Sequence, residues 1–324
     1  MEPVVDPEVK AAAQDAFAAL GHETRLAILF ALWEHRSVDV HVPQQPMPFV
    51  ALRKAVGLRD GSQFNYHLEP LLDRFVHRTD DGYLLRREGE RVVSAILAGA
   101  FTDSVVFDAE PRDEPCPLCG GPTVFECNTE RTLGSFAVRC TECEGAFGGV
   151  GFDGALSLLD SLSPAGIHAR DPSEFYPAQV VKAKHDILSA AEGVCPDCTG
   201  TMDVTHRVCA DHLVEPGRRC ASCDTIFEVQ FMGVCDVCHL LAVAPSTTYL
   251  RADPRVLVFL EEHDYEPWHD WLRIELELVE RQTVRSEDPF ELEVVLAAGG
   301  DRLVATLDDA GVVTGVDAGT PADA

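Results

Sequence analysis

Closely spaced cysteines are the residues of this sequence best suited to chemistry. Ten of the 12 cysteines occur in five Cys-x-x-Cys pairs, and Cys209 forms a sixth pair of the same spacing with His212. Two donors at this spacing on a tight turn point to one side, so each pair supplies half of a tetrahedral metal site. The pattern predicts three structural zinc ions per chain. The all-cysteine pairs are Cys116/Cys119, Cys140/Cys143, Cys195/Cys198, Cys220/Cys223 and Cys235/Cys238.

The spacing between pairs indicates which halves combine. Twenty residues separate Cys119 from Cys140 and 21 separate Cys198 from Cys220, both close to the zinc-ribbon pattern. We therefore expect the first two pairs to form one site. In the later group of four pairs we favour a crossed arrangement, first with third and second with fourth. Sequential pairing stays open, because spacing alone does not decide between them.

The predicted zinc ions are structural rather than catalytic. A catalytic zinc keeps three protein ligands and an open position for water, whereas each of these sites has four ligands. A thioredoxin-like redox role would need a βαβ setting that the sequence does not indicate. Cys127 has no partner at ligand spacing, and we interpret it as a small buried residue. With no phosphate loop or nucleophile motif present, we expect no enzyme.

The N-terminal residues predict two helices in close succession. Asp6-Pro7 begins the first and Gly21 ends it, and apolar residues from Leu26 to Trp33 recur at helical spacing in the second. The phrase from Ala19 to Leu29 (ALGHETRLAIL) resembles the opening of the ArsR-type winged helix regulators. That resemblance implies a winged helix-turn-helix over residues 1–103. Its fusion to zinc ribbons resembles haloarchaeal regulators.

A helix-turn-helix is predicted next, from a short helix at 49–56 and a second at about 63–75. The exposed N-terminal residues of such a second helix reach base edges in the major groove. Pro70 lies within it, and we expect a kink there because proline removes a helical hydrogen bond. The candidate base readers are Ser62, Gln63, Asn65 and Tyr66, and the candidate phosphate contacts are Arg53 and Arg59.

A β-hairpin, which would be the wing, follows around the turn Asp80-Asp81-Gly82. Arg78, Arg86 and Arg87 are its candidate contacts to the DNA backbone or minor groove. The resemblance implies that a helix at 88–101 closes a homodimer, although its apolar side could simply cap the core of its own domain. Metal sensing through the recognition helix is not implied, since that helix contains no cysteine.

The charge of the chain is unusual for a DNA-binding protein. Asp and Glu number 54 against 26 Lys and Arg, which gives a net charge of −28 and is typical of a salt-adapted, halophilic cytoplasmic protein. Residues 49–91, however, carry eight basic against seven acidic residues, so this window is +1 and the rest is −29. A locally neutral surface permits contact with phosphate. Neither a secretory signal nor an apolar run of 18 residues is present, so we expect no membrane association.

The pattern predicts a multidomain α+β chain that ends in a small antiparallel β meander. Apolar residues alternate with polar ones from Ile274, again from Phe290 and again from Leu303, and a short helix is expected at 256–263. An acidic linker at 103–115 would precede the metal sites. The predicted regions are the winged helix (1–103), zinc ribbon 1 (104–152), a helical spacer (153–193), a two-zinc ribbon module (194–244), an α+β meander domain (245–315) and a disordered tail (316–324).

These features favour a DNA-binding transcription regulator with double-stranded DNA as its partner. The alternative is an interaction adaptor of the transcription machinery that binds without sequence preference. A regulator should dimerise and prefer a palindrome, whereas an adaptor should be monomeric and indifferent to DNA sequence. A small-molecule effector is a further candidate partner, with the C-terminal domain as one place to sense it.

Overall fold

The computed structural model describes residues 6–39, 41–130, 135–149, 153–159 and 163–319. It is a mixed α+β fold with several small antiparallel sheets. The chain divides into two compact units, Met1–Asp103 (unit 1) and Ser104–Ala324 (unit 2). No helix in the described ranges is both long and apolar enough to cross a bilayer.

Unit 1 consists of helices around one antiparallel hairpin. Asp6 caps the first helix by accepting a hydrogen bond from the backbone N–H of Glu8 at 2.7 Å, and Asp60 caps the fourth through Gln63 N at 2.7 Å. In chain order the elements are α1 (Pro7–Leu20), α2 (Glu23–His35), α3 (Phe49–Ala55), α4 (Gly61–Leu68), a 3-10 turn (Glu69–Leu71), β1 (Val76–Arg78), β2 (Tyr83–Leu85) and α5 (Arg87–Leu97).

One face of α2 and one face of α4 contribute the residues at the centre of the core of unit 1. Ile28, Leu29, Phe64 and Leu68 are almost completely buried in it. The predicted helix over 63–75, kinked at Pro70, is wrong in its length. The α-helix ends at Leu68 and the chain continues as the 3-10 turn, since proline has no N–H to donate back along the helix.

Unit 2 begins with a four-stranded antiparallel sheet in sequential order. Its strands are β3 (Val106–Arg112), β4 (Thr123–Asn128), β5 (Phe136–Cys140) and β6 (Ala155–Leu159). Two predictions are wrong here. The expected acidic linker contains β3, and the expected helical spacer begins with β6. Apolar runs this short do not distinguish strand from helix by periodicity, and pairing with β5 decides the outcome for β6.

Two helices and a three-stranded sheet follow. Strand β8 is central, with β7 and β9 antiparallel on either side. Two more helices lead from this sheet to the C-terminal region. The elements are α6 (Pro164–His168), α7 (Pro172–Ala191), β7 (Met202–Val208), β8 (Val229–Cys235), β9 (Leu241–Pro245), α8 (Ser246–Leu250) and α9 (Pro254–Glu262).

A four-stranded antiparallel meander closes the fold, as predicted. The prediction of a strand from Ile274 is wrong. Ile274 and Leu278 are buried while Leu276 is 38% exposed, a spacing of four that places them on one face of a helical turn. The elements are α10 (Trp271–Arg273), a π-helical turn (Ile274–Leu278), β10 (Val279–Glu287), β11 (Phe290–Ala298), β12 (Asp301–Asp308) and β13 (Val313–Gly319).

The predicted disordered tail is also wrong in part. Residues 316–319 belong to β13, which forms six residue pairs with β12. The remainder of that prediction, residues 320–324, lies outside the described residues.

Unit 2 is held together by two large hydrophobic clusters that meet at the start of β8. Phe227, just before the strand, belongs to the cluster that contains Phe136 of β5 and Phe175 of α7. Phe231, within the strand, belongs to the cluster that contains Leu260 of α9 and Leu292 of β11. Residues 104–324 therefore form one compact unit in which the cysteine-bearing sheets and the meander share their cores.

Candidate metal centres and nucleic-acid surface

The first metal centre (site 1) contains Cys116, Cys119, Cys140 and Cys143. Its two halves lie at the open end of the β4–β5 hairpin, because one precedes β4 and the other begins at the last residue of β5. Antiparallel pairing of Thr123 with Cys140 brings them together. The Sγ atoms of Cys116 and Cys143 are 3.7 Å apart, and those of Cys119 and Cys140 are 3.5 Å apart.

The second centre (the outer site) contains Cys195, Cys198, Cys235 and Cys238. The same geometry recurs, with one half preceding β7 and the other beginning at the last residue of β8, and Met202 paired with Cys235. The Sγ–Sγ distances are 3.6 Å between Cys195 and Cys238 and 3.5 Å between Cys198 and Cys235.

The third centre (the inner site) contains Cys209, His212, Cys220 and Cys223, all within the connection between β7 and β8. His212 Nδ1 lies 3.5 Å from Cys223 Sγ. The other ring nitrogen, Nε2, is 3.2 Å from the carbonyl oxygen of Ile226. A histidine ligand commonly donates its second N–H to such an acceptor, which fixes the ring orientation and leaves Nδ1 free to bind the metal.

The expected crossed pairing of the later half-sites is wrong, and so is the sequential alternative. The structure nests the sites, first half with fourth and second with third. The cause is the β7–β8 hairpin, whose antiparallel strands bring the flanking residues at its open end together and leave the other two halves in its loop. The 21-residue interval between Cys198 and Cys220 resembles that of a zinc ribbon only in length.

The geometry of the three centres fits a tetrahedral metal with soft ligands. The four donor atoms of each group lie within 4.8 Å of one another. A zinc–sulfur bond of about 2.3 Å at tetrahedral angles places sulfur atoms about 3.8 Å apart, close to the observed 3.5–3.7 Å. These separations are far longer than the roughly 2.05 Å of a disulfide.

Backbone N–H groups donate to a cysteine sulfur in each of the three centres, which favours the thiolate form of that cysteine. Cys140 Sγ accepts from Glu142 N at 3.3 Å in site 1. At the inner site the N–H of Leu213 lowers the pKa of Cys220 to about 6. At the outer site the N–H of Cys238 does the same for the pKa of Cys235, again to about 6. Hydrogen bonds to the charged form lower a pKa, and the thiolate is the form that binds metals.

Cys127 is separate from these centres. It is completely buried in the core beside site 1, where burial raises its pKa to about 11. A thiol with so high a pKa is unreactive near neutral pH. Its interpretation as a small buried residue is therefore confirmed.

Arg219 joins site 1 to the inner site and was not singled out from the sequence. Its side chain donates to the carbonyl oxygens of Glu144 and Phe147 and forms an ion pair with Asp224 at 2.8 Å. Its backbone N–H also donates to the carboxylate of Glu144 at 3.0 Å. Its position next to the ligand Cys220 was the available signal. These bonds connect the loop that carries Cys143 of site 1 to the loop that carries Cys220 and Cys223 of the inner site.

In unit 1 the candidate base readers lie on the exposed side of α4. Phe64 and Leu68 face the core, and Tyr66 is 68% exposed. Ser62, Gln63 and Asn65 are exposed with it. The structure therefore places these polar side chains together on one open surface.

The candidate arginines lie around the same helix and the hairpin. Arg53 and Arg86 are half-buried and bind backbone carbonyls, those of Arg59 and Asp73. Arg86 also approaches Glu88 at 3.4 Å, and Arg87 forms an ion pair with Glu90 at 3.2 Å. Arg59, Arg78 and Arg87 are exposed.

Comparison with known proteins gives two matches to family models. One, described as a domain of unknown function (DUF7347), covers residues 13–96. The other, also described as a domain of unknown function (DUF7351), covers residues 113–313, well over half of the chain. The chain belongs to the DUF7351 family. Its DUF7351 region contains all 12 clustered metal-ligating residues. No curated protein and no solved structure matches the chain.

Proposed function

We propose that this chain is a DNA-binding transcription regulator whose unit 1 is a winged helix-turn-helix. One observation carries the proposal: α4 presents a continuous polar surface beside an arginine-bearing hairpin in a chain that is otherwise strongly acidic. The element order of α3, α4, hairpin and α5 is that of the ArsR-type regulators that the sequence resembles. In that fold the second helix reads the major groove and the wing contacts the adjacent backbone.

The side chains on α4 suit direct reading of bases. Gln63 and Asn65 can each donate and accept hydrogen bonds. This matches adenine, which presents one acceptor and one donor in the major groove. Tyr66 is close to them and exposed over most of its surface. We assign these three, with Ser62, to base contacts.

The arginines divide into those available for phosphate and those already engaged. Arg78, on β1, is exposed and has no carboxylate within 4 Å among the described residues. We therefore assign it the strongest contact to the phosphate backbone of DNA. Arg59 is exposed as well, whereas the exposed Arg87 is already paired with Glu90 at 3.2 Å. Arg53 and Arg86 bind backbone carbonyls and would hold the loops in place as much as they contact DNA.

We propose zinc as the metal of all three centres, in a structural role. Each centre offers four protein donors, which leaves no open position for a water or substrate. The ions would fix the ends of two short hairpins and one loop, elements too small to bury much apolar surface.

We propose that unit 1 forms a homodimer through α5. Val93 faces the core of the unit, but Leu97 is 54% exposed and Phe101, just beyond the helix, is 76% exposed. Phe17 of α1 is 72% exposed too. Large apolar side chains exposed in such number favour a protein contact over solvent. A dimer would match a palindromic site with two half-sites.

The test distinguishes base contacts from phosphate contacts. It compares the affinity of variants for a duplex selected from a random pool with their affinity for a scrambled duplex. Replacing Gln63 and Tyr66 together with alanine should cost about 1–3 kcal/mol on the selected duplex and little on a scrambled one. Replacing Arg78, Arg86 and Arg87 with alanine should weaken binding to both duplexes alike. Fluorescence anisotropy measures both, and mass photometry gives the stoichiometry.

Lys10→Ala serves as the control variant, since Lys10 is an exposed residue of α1 outside the proposed DNA surface. If both sets of variants changed the two duplexes equally, the assignment of roles to helix and hairpin would fail. A monomeric chain that bound neither duplex preferentially would instead identify an adaptor of the transcription machinery.

A further inference from the structure

A small pocket of about 150 Å³ lies inside unit 2, in a region to which the metal centres contribute no residue. One wall is a face of α7, formed by Tyr176, Val180, Ala183 and Ile187 at spacings of three and four. Other walls come from the end of β9, from α8 and from two tryptophans. An apolar cavity of this volume is the size that accommodates a single benzene ring. The remaining lining residues that matter here are Val243, Pro245, Thr248, Arg251, Trp268 and Trp271.

Arg251 brings a buried positive charge to this pocket. Only 2% of its surface is exposed. Its Nε donates to Thr247 O at 3.1 Å, Nη1 to Pro267 O at 2.9 Å and Nη2 to Thr248 Oγ1 at 2.9 Å. A guanidinium carries five N–H groups, so two donors remain beyond these three bonds. Within the described ranges no carboxylate oxygen lies within 4 Å of it.

The surroundings of Arg251 compensate its charge only in part. Its guanidinium lies 5.2 Å from the centre of the Trp268 ring, a favourable cation–π contact. Two acidic residues, Glu275 and Glu266, act on this charge, but neither carboxylate lies within 4 Å of the guanidinium. The carboxyl of Glu275 accepts a hydrogen bond from Thr247, and burial raises the pKa of Glu275 to about 7. A buried charge without full pairing favours binding an anion.

We propose that this pocket binds a small monocyclic aromatic carboxylate, with the ring between α7 and the tryptophans and the carboxylate on Arg251. Nη1 and Nη2 each keep one N–H beyond the bonds to Pro267 and Thr248, and we assign these two donors to the two carboxylate oxygens. The pocket belongs entirely to unit 2, so this proposal is independent of DNA binding by unit 1.

The test uses 4-fluorobenzoate as the probe and the full-length, zinc-loaded chain. Its ¹⁹F NMR signal should broaden and shift on titration with protein. The matched uncharged probe, 4-fluorobenzyl alcohol, should bind at least about tenfold more weakly, because it cannot form the charge-assisted pair with Arg251. Equal binding of the two probes, or no binding of 4-fluorobenzoate at millimolar concentration, would overturn the proposal.

Two variants test the two halves of the pocket separately. Ala183→Leu fills the ring position without altering any hydrogen bond of Arg251, and it should abolish probe binding. Arg251→Met should reduce 4-fluorobenzoate binding to the level of the alcohol. Arg281→Met is the control, since Arg281 is an exposed residue of β10 outside the pocket. If Arg251→Met does not fold, the test rests on Ala183→Leu. Wild-type affinity of Ala183→Leu for 4-fluorobenzoate would contradict the proposal.

Discussion

The two ring nitrogens of His212 have different surroundings, and these explain why a histidine serves among cysteines. Nδ1 faces Cys223 Sγ, whereas Nε2 lies 3.2 Å from the carbonyl oxygen of Ile226. The backbone N–H of Ile226 itself donates to the carbonyl oxygen of Ala146 at 3.2 Å, next to site 1. The ligand is thus oriented by backbone that is itself held by the neighbouring centre.

Metal analysis tests the role of His212 directly. The wild-type chain should contain about three zinc ions after equilibration with a zinc buffer. His212→Ala should reduce the content to about two, and His212→Cys should restore three, because sulfur replaces the lost donor. His185→Ala, on the exposed side of α7, should keep three. Three tightly held ions in His212→Ala would show that the inner site does not use the histidine.

His67 predicts how unit 1 responds to acid. It is 5% exposed, and burial, with smaller contributions from His22 and Arg25, lowers its pKa. The unfolded histidine has a pKa of 6.5. Stability is therefore fully present above that value and falls as the pH drops below it, since the unfolded chain then binds the proton more readily.

We expect His67→Leu to lose less thermal stability than the wild type between pH 7 and pH 5. Tryptophan fluorescence follows the melt, and Trp33 is the reporter in unit 1. Unit 2 is unchanged in this variant, so the difference between the two proteins isolates the histidine. His77→Leu is the control, because His77 is exposed on β1. An identical acid response in His67→Leu and wild type would contradict this account.

At the scale of elements, the hairpins determine which half-sites combine. In site 1 and the outer site, one half precedes a strand and the other begins at the end of the next strand. The spacing of the cysteines predicted all 12 residues that the structure gathers into groups of four and the pairing in site 1. It did not predict nesting, because the sequence distance between Cys198 and Cys220 does not show that Cys198 lies at the open end of the β7–β8 hairpin and Cys220 in its loop.

Other element predictions succeeded or failed for similarly local reasons. Helix α1 and the β1–β2 hairpin were predicted because a cap or a turn residue marks their ends. The run from Ile274 to Leu278 alternates in sequence yet forms a helical turn, because burial there depends on packing against β10 and β11. The pocket around Arg251 had no sequence signal, since its walls come from segments far apart in the chain.

Gly154 offers a test at the scale of a turn. It has a φ of +78°, and a Cβ at this position would collide with the carbonyl oxygen of Cys140. Gly154→Ala should therefore distort site 1, reduce the zinc content by one and destabilise unit 2 by at least about 2 kcal/mol. Gly166→Ala, where a Cβ would approach nothing closer than 3.8 Å, should retain three ions and wild-type stability. Full zinc content in Gly154→Ala would contradict the geometry of this turn.

At the scale of the whole molecule, charge is distributed unevenly. The proposed DNA-binding window, 49–91, is +1 while the rest of the chain carries −29. In the proposed complex, counterion release, which normally drives DNA binding, would therefore contribute little, and the carboxylates would repel the duplex at low salt. Molar salt screens charges beyond about 3 Å and removes that repulsion. Specific base contacts, which are short-ranged, would persist.

The most direct test of DNA binding is the affinity of the full chain for a selected duplex and a scrambled one, titrated against potassium chloride. We predict weak binding of both at low salt and retained, selective binding of the selected duplex at molar salt. Arg78→Ala should weaken the selected complex without changing which duplex is preferred. Equal affinity for the two duplexes at every salt concentration, or a steep monotonic loss of binding as salt rises, would contradict the account.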